Sequence, residues 1–165
     1  MVILRVAKDQ FLPDMPLIFT VPRTCSGAME AEGTRRFPRE TGGILVGRWT
    51  SASAALLTHV IGPGPKARHG FRRFTPDTEW QTTELASVWS SAPGLEYLGD
   101  WHTHPMGSAT PSGRDRSVAD AIAGYPPARN AQPIMLILSL GVTGRSQLGA
   151  FVLLGGELTR MNVEM

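Results

Sequence analysis

The sequence predicts a single α/β domain, on three observations. Apolar, β-rich runs alternate with segments of helical spacing, which is typical of a layered α/β architecture. A length of 165 residues suits one domain, since domains average roughly 100–150 residues. Thirteen prolines and eighteen glycines predict many turns and short helices. No repeat or long linker divides the chain, so residues 1–165 are expected to form one domain.

The first half of the chain is expected to hold four strands and one helix. Pro22 can occupy the first turn of a helix that Gly33 closes. The segment Gly62-Pro-Gly-Pro is a strong breaker and ends the fourth strand. Pro13 marks the turn between the first two strands. The predicted strands cover residues 3–6, 17–21, 44–47 and 55–61.

The second half begins with an exposed hairpin or loop at residues 66–75, in which basic side chains surround two phenylalanines. A helix is predicted to start in Pro76-Asp-Thr-Glu, and a shorter one covers residues 112–122. The apolar positions of the first of these helices are Trp80, Leu85, Val88 and Trp89. Strands are predicted at residues 95–104, 134–140 and 147–154.

Composition excludes several classes of function. The net charge of +2 is too small to argue for nucleic-acid binding. The single cysteine, Cys25, cannot form an internal disulfide or a cysteine-rich zinc site, and is expected to be a small buried group in a helix. The N-terminus lacks signal-peptide features, and the apolar run at residues 134–140 is far shorter than the roughly 20 residues of a membrane span. We therefore expect a cytoplasmic protein that binds neither nucleic acid nor membrane.

The most informative segment is Gly99-Asp-Trp-His-Thr-His-Pro, with two histidines separated by one residue. In a strand, His102 and His104 point to the same face and Thr103 to the other. Two imidazoles so placed can take two corners of a zinc tetrahedron. Asp115, separated from His104 by ten residues, is the candidate third ligand if a helix beginning near Ser112 packs against the strand's end. Three protein ligands leave a fourth position for water, as in catalytic zinc sites.

Ser112 and Asp115 also have a purely local interpretation. Ser-x-x-Asp resembles a capping box, with the serine at the N-cap of a helix and the aspartate three residues later. The two interpretations are compatible, because a cap that defines the start of the helix also aims the aspartate.

Three other classes of His-x-His protein do not fit the residues. Metallo-β-lactamase-like hydrolases need Asp-His where Met106 and Gly107 stand. Cupins need a glutamate where Gly107 and Ser108 stand. Zinc nucleoside deaminases need a Pro-Cys-x-x-Cys pair, and the chain has one cysteine.

The pattern His102-x-His104-x10-Asp115, with Ser112 and an upstream Glu40 before a glycine-rich strand, resembles the JAMM signature of JAB/MPN metallopeptidases. The surroundings resemble the prokaryotic branch in Glu40-Thr-Gly-Gly-Ile-Leu-Val-Gly, Gly62-Pro-Gly-Pro, Phe74-Thr-Pro-Asp and Leu98-Gly-Asp-Trp-His-Thr-His-Pro. The resemblance covers about residues 17–154. It implies a cytidine-deaminase-like α/β domain with a curved mixed β-sheet flanked by helices.

The resemblance also implies a role for each site residue. His102, His104 and Asp115 match the ligands of one zinc ion per chain. Glu40 matches the general base, which accepts a proton from the attacking water. Ser112 matches the serine that helps to bind the oxyanion.

Residues outside this set receive weaker assignments. Asp100 can steady a histidine ring or be a solvated edge carboxylate, and its even spacing from His102 favours the first. Trp101 is expected in the core. His59 and His69 have no ligand partners at suitable spacing and are assigned to structure or surface. 

The implied substrate is the C-terminal tail of a ubiquitin-like protein, commonly ending in Gly-Gly and laid beside a sheet edge. Residues 66–75 lie where the resemblance implies an insertion that helps to clamp such tails, which makes Arg72, Arg73 and Phe74 candidate substrate contacts. A solvated surface is the alternative interpretation of the basic side chains. The first hypothesis is a peptidase or isopeptidase acting on a bacterial ubiquitin-like modifier, with activating and conjugating enzymes from the same operon as partners. The second is a peptidase that trims a sulfur-carrier protein. The third is a silent MPN scaffold, which would usually lack one or more ligands.

Overall fold

The computed structural model describes residues 15–165. The strand predicted at residues 3–6 and the turn at Pro13 lie outside them. Along the chain the described elements are β1 (Ile18–Thr20), α1 (Arg23–Arg36), β2 (Gly42–Trp49), β3 (Ala54–Ile61), β4 (Arg68–His69), β5 (Phe74–Thr75), α2 (Thr78–Ser91), β6 (Glu96–Pro105), α3 (Gly113–Ala123), a 3₁₀ turn (Pro126–Ala128), β7 (Ile134–Leu140), β8 (Ser146–Leu154) and β9 (Glu157–Glu164).

Seven strands form a closed barrel in the order β1-β3-β2-β6-β7-β8-β9. The sheet is mixed and has helices packed against it, as expected. It is more strongly curved than the expected open sheet, because it closes into a barrel. Closure depends on β1, which pairs in parallel with β3 on one side and with β9 on the other. A short hairpin, β4–β5, lies outside the barrel as a separate two-stranded sheet.

Strand β9 was not among the predicted strands. Its sequence, Glu-Leu-Thr-Arg-Met-Asn-Val-Glu, contains few apolar residues, and only Met161 is buried. The turn before it, at Gly155 and Gly156, has positive φ at both residues, as a tight hairpin turn requires. A Gly-Gly pair after an apolar strand is a hairpin signal, and it was available in the sequence.

The barrel interior is the main hydrophobic core. It includes Phe19, Leu45, Trp101, Leu136 and Val152, each at most 1% exposed. Strand β7 is buried on both faces, because Met135 and Ile137 pack outward in a second cluster with Ala119 of α3. This second cluster attaches α3 to the outside of the barrel beside β6.

Helix α1 differs from its prediction at both ends. Pro22 is the N-cap residue rather than part of the helix, and the helix continues through Gly33 to Arg36. Gly33 is buried, and a Cβ there would lie 2.6 Å from Leu140 Cδ1 and 3.1 Å from Thr103 Cγ2. The glycine therefore allows α1 to approach β6 and β7 closely, and does not end the helix. Cys25 is buried in α1, as predicted.

Helix α2 lies at the periphery. Asp77 caps it by accepting a hydrogen bond from the backbone N of Trp80 at 3.3 Å, and the same carboxylate accepts one from Lys66 N at 3.1 Å. The predicted apolar face is only partly buried: Trp89 is 43% exposed. Across residues 15–165, no helix has the length and apolar character needed to cross a bilayer.

Candidate metal centre

Strand β6 presents both histidines on one face. Trp101 and Thr103 are buried, whereas the side chains of His102 and His104 keep a small exposed fraction on the other face. The indole Nε1 of Trp101 donates to the Ile61 carbonyl at 3.1 Å, so its prediction as a core residue is confirmed. The alternation expected for a strand therefore aims the two imidazoles outward, toward α3.

Helix α3 brings Asp115 to the histidines. Ser112 is the N-cap, and its hydroxyl accepts from Asp115 N at 3.3 Å. In return Asp115 Oδ2 accepts from Ser112 N at 2.6 Å, which completes a capping box. Because the hydroxyl acts as an acceptor in the cap, its own proton stays available for another partner. The local and the chemical interpretations of this pair are thus compatible.

The loop before α3 is held against the sheet. Met106 has a positive φ of 58°, and its N–H donates to the Leu140 carbonyl at 2.7 Å. Gly149 of β8 permits close approach, since a Cβ there would lie 2.0 Å from the Ala109 carbonyl oxygen. These contacts determine where α3 begins and hence where the Asp115 carboxylate lies.

The three predicted ligands converge. The Nε2 atoms of His102 and His104 lie 3.0 Å apart, and Asp115 oxygens lie 3.0 Å from the first and 3.4 Å from the second. Ligand atoms about 2.0–2.1 Å from a zinc ion in tetrahedral geometry are about 3.3 Å from one another. The donor set and its spacing therefore fit a divalent metal ion.

The His104 ring is oriented for coordination. Its Nδ1 lies 2.9 Å from the Ser108 carbonyl oxygen, which can only accept, so Nδ1 carries the proton. In the neutral ring Nε2 then has a free lone pair directed at the other two ligand atoms. Backbone carbonyls commonly orient metal-binding histidines in this way.

Close packing of carboxylates and imidazoles shifts pKa values within the site. Burial raises the pKa of Asp115, but the contacts of its carboxylate with the imidazoles of His102 and His104 outweigh burial and hold that pKa well below its usual range. Contact with the Asp115 carboxylate, which stabilises the protonated ring, is the main cause that raises the pKa of His104. Desolvation raises the pKa of Glu40, partly opposed by His102 and His104. The site thus gathers two carboxylates close to two imidazoles.

Pairing of β2 with β6 places Glu40 on the same side of the sheet as the histidines. Gly42 opposes His102 in an antiparallel register, and opposed residues point to the same face. The pairing continues before the first residue of β2, because Thr103 N donates to the Thr41 carbonyl at 2.8 Å. Glu40 therefore falls opposite His104, and it lines the same cleft as His102 and Asp115.

The hydroxyl of Thr103 locks this pairing from the buried face. It accepts from Thr41 N at 3.0 Å and lies 3.4 Å from the Thr41 carbonyl, and both threonines are fully buried. Sequence reasoning placed Thr103 on the far face but found no role for it. The lock joins the backbone next to Glu40 to the backbone between the two histidines.

Thr103→Val is expected to loosen this lock while preserving the shape of the side chain. The buried N–H of Thr41 loses its acceptor, which should lower the free energy of unfolding by about 1–3 kcal/mol. If Glu40 acts on the reaction, kcat should fall about ten- to hundredfold, since small misplacements of a reacting group are costly. Denaturation and steady-state kinetics measure the two effects.

Thr58→Val is the matched control. The Thr58 hydroxyl donates to the Val46 carbonyl over 3.1 Å, and this hydrogen bond lies away from the site. The substitution should lower stability without lowering kcat. Equal losses of kcat in both variants would contradict a specific role for Thr103.

The cleft beside these residues has a volume of about 110 Å³. The Phe74 ring covers Gly42, where a Cβ would lie 2.7 Å from ring atoms, so the glycine makes room for the hairpin. Arg73 and Phe74 line the cleft with Glu40. Arg72 contacts α3 through its backbone, because its carbonyl accepts a hydrogen bond from the Arg114 side chain at 2.9 Å. Nothing in the sequence distinguishes Arg114, which also lines the cleft, from a solvated arginine on a helix.

Asp100 also lines the cleft, on the same side as His102. Its carboxylate accepts from the Tyr97 hydroxyl at 2.8 Å, a partner that the sequence did not suggest. A register shift opposite Leu45 and Val46 brings Tyr97 to the same face as Asp100. Burial raises the pKa of Asp100 to about 6. Its role in steadying a histidine ring stays a prediction.

Comparison with known proteins identifies the family. The profile of the family described as prokaryotic homologs of the JAB domain matches residues 23–150, which include every residue of the candidate centre. The chain belongs to this prokaryotic JAB family. The JAB match begins at α1 and ends in β8, so it spans the elements that position the site.

Curated relatives of this JAB protein carry names of hydrolases. It is 35% identical over 129 residues to a probable metalloprotease, y4qB, of Sinorhizobium fredii, covering 77% of this chain and 79% of the relative. It is 31% identical over 125 residues to a CD-NTase/cGAS isopeptidase of Enterobacter hormaechei, covering 75% and 68% of the two chains.

A solved structure agrees with the fold. The solution structure of protein DSY2949 from Desulfitobacterium hafniense matches with a TM-score of 0.68 at 20% identity, over 90% of this chain and 92% of that one. At this identity the match supports the arrangement of mixed sheet and helices and carries nothing about activity.

Proposed function

We propose that this protein is a zinc-dependent peptidase or isopeptidase that cleaves the amide bond after the C-terminal tail of a ubiquitin-like protein. The observation that carries the proposal is the convergence of His102 Nε2, His104 Nε2 and Asp115 carboxylate oxygens within 3.0–3.4 Å of one another, with Glu40 on the same cleft. A silent scaffold would not need all four groups together.

Each side chain has a task in that reaction. His102, His104 and Asp115 hold zinc, which supplies Lewis-acid activation of a water molecule. Glu40 accepts the proton of the attacking water and passes it to the leaving amine. Its raised pKa, caused by burial, suits a group that must both take and return a proton near neutral pH. The Ser112 hydroxyl donates to the oxyanion that develops on the attacked carbonyl.

The relatives bear on the choice of substrate. Two of them are named CD-NTase/cGAS isopeptidase, which favours a side-chain amide of a protein as the bond cleaved here. A peptidase that trims a sulfur-carrier protein would use the same residues, so the substrate's tail and target must separate the two. Activating and conjugating enzymes of the modifier are the expected partners.

A panel of fusions tests the proposal. Bacterial ubiquitin-like and sulfur-carrier tails, each ending in Gly-Gly, are joined either to a peptide or to a lysine side chain, including one on a CD-NTase. Cleavage after the final tail residue should occur, stop with chelator and return with zinc. Absence of cleavage across the whole panel, by protein with stoichiometric zinc, would contradict the proposal.

Reversing charge on the hairpin should separate binding from turnover. In Arg72→Glu/Arg73→Glu we expect KM to rise by about tenfold or more while kcat changes less, because these side chains contact the tail and not the reacting atoms. The single variants refine this result: Arg73 lines the cleft, so it should account for most of the change. An unchanged KM in the double variant would remove the hairpin arginines from substrate binding.

A further inference from the structure

The hairpin, here residues 66–75, bonds to both backbone groups of Glu40. Glu40 N donates to the Gly70 carbonyl at 2.7 Å. The Glu40 carbonyl lies 2.9 Å from Nδ1 of His69. The residue proposed as the general base is therefore held by a segment that belongs to neither α1 nor β2, the elements on either side of it in the chain.

The hydrogen bond to the Glu40 carbonyl is the main polar contact of the His69 ring. A carbonyl oxygen only accepts, so Nδ1 carries the proton and Nε2 is an acceptor. In the part of the chain that the structure describes, Nε2 is buried without a hydrogen-bond partner. A buried unpaired acceptor lowers stability, so Nε2 does not hold the ring in place. The ring is held instead by the hydrogen bond of Nδ1 and by stacking on Phe74, with ring centroids 6.4 Å apart.

Two further contacts fix the hairpin in place. Arg39 donates to the His69 carbonyl at 3.1 Å, and its guanidinium lies 5.1 Å from the centre of the Phe71 ring. On the other side Arg114 of α3 donates to the Arg72 carbonyl at 2.9 Å. The hairpin is thus bonded to the segment that carries Glu40 and to the helix that carries Asp115.

We propose that His69 is a positioning residue for Glu40, and that the hairpin determines where the base lies relative to the metal ligands. This inference rests on the proposed role of Glu40. With its backbone N–H and C=O both bonded, Glu40 can move only about its side-chain torsions. Because Arg73 and Phe74 of the same hairpin line the cleft, the substrate tail and the base share one support.

Three variants test this role of His69. His69→Asn keeps an N–H donor near the position of Nδ1, His69→Leu removes the donor, and Lys66→Ala removes an exposed side chain of the hairpin away from Glu40. Two measurements are made: steady-state kinetics of the zinc-loaded enzyme, and amide hydrogen exchange of the metal-free protein at Glu40. The second needs no substrate and no metal.

In His69→Leu we expect kcat to fall about tenfold or more with little change in KM or zinc content, and the Glu40 amide to exchange about tenfold faster. His69→Asn should recover most of both, and Lys66→Ala should leave kcat and the Glu40 amide unchanged. Wild-type kcat and exchange in His69→Leu would overturn the inference, and so would equal losses in the asparagine and leucine variants. If Glu40→Ala retained full turnover, the proposed role of Glu40 as general base would fail instead, and the exchange result would still report on the hydrogen bonds between the hairpin and the Glu40 backbone.

Discussion

Glu40→Ala is expected to lower kcat by about 10²–10⁴-fold, the usual contribution of a positioned general base, while zinc stays bound. The carboxylate is half-buried in the cleft and is not one of the three converging ligands. Its backbone bonds to Gly70 and His69 do not involve the side chain, so the substitution should leave the fold intact. Single-turnover kinetics on a cleavable fusion and metal analysis of the same preparation measure both effects.

The control for this experiment is Glu79→Ala, which removes an exposed carboxylate from the first turn of α2. It should retain wild-type kcat. Glu40→Gln offers a stricter comparison, because the amide keeps the volume of the side chain but cannot accept the proton. Near-normal cleavage by either Glu40 variant would show that another group is the base.

His104→Ala is expected to abolish both metal binding and turnover. Removing one of three protein ligands leaves two, too few for a stable site, and the Ser108 carbonyl that orients the ring loses its partner. Because metal binding to the folded state stabilises it by mass action, chelator should lower the Tm of the wild-type protein. It should leave the Tm of His104→Ala unchanged. Thermal unfolding with and without chelator, beside metal analysis, measures this.

His59→Ala is the matched control for the loss of an imidazole. His59 is exposed on β3, and its ring bonds Thr58, so zinc content, chelator response and turnover should all be retained. Stoichiometric zinc in His104→Ala, or a wild-type Tm that ignores chelator, would contradict the assignment of the metal centre.

The two variants together divide the site into parts. Loss of turnover with metal retained isolates the acid–base task of Glu40. Loss of both isolates the coordination task of the histidines. A scaffold protein would have no turnover to lose, so the substitutions would change only its stability.

The local patterns of the sequence predicted much of the fold. Six predicted strands and three predicted helices occur within a few residues of their expected positions, because side-chain periodicity follows directly from backbone geometry. The errors have physical reasons. Gly33 was taken as a helix end, but its small size serves packing against Leu140. Strand β9 was missed because it buries little apolar surface.

The sequence by itself determined the outward direction of His102 and His104, through the two-residue period of a strand, and the start of α3, through the capping box of Ser112 and Asp115. Only the tertiary structure decided that Thr41 meets Thr103 across 62 positions, that the barrel closes through β1, and that the hairpin holds Glu40. Local features follow from neighbouring residues in the chain. Partners far apart in sequence are selected by packing of the whole molecule, which a one-dimensional pattern does not contain.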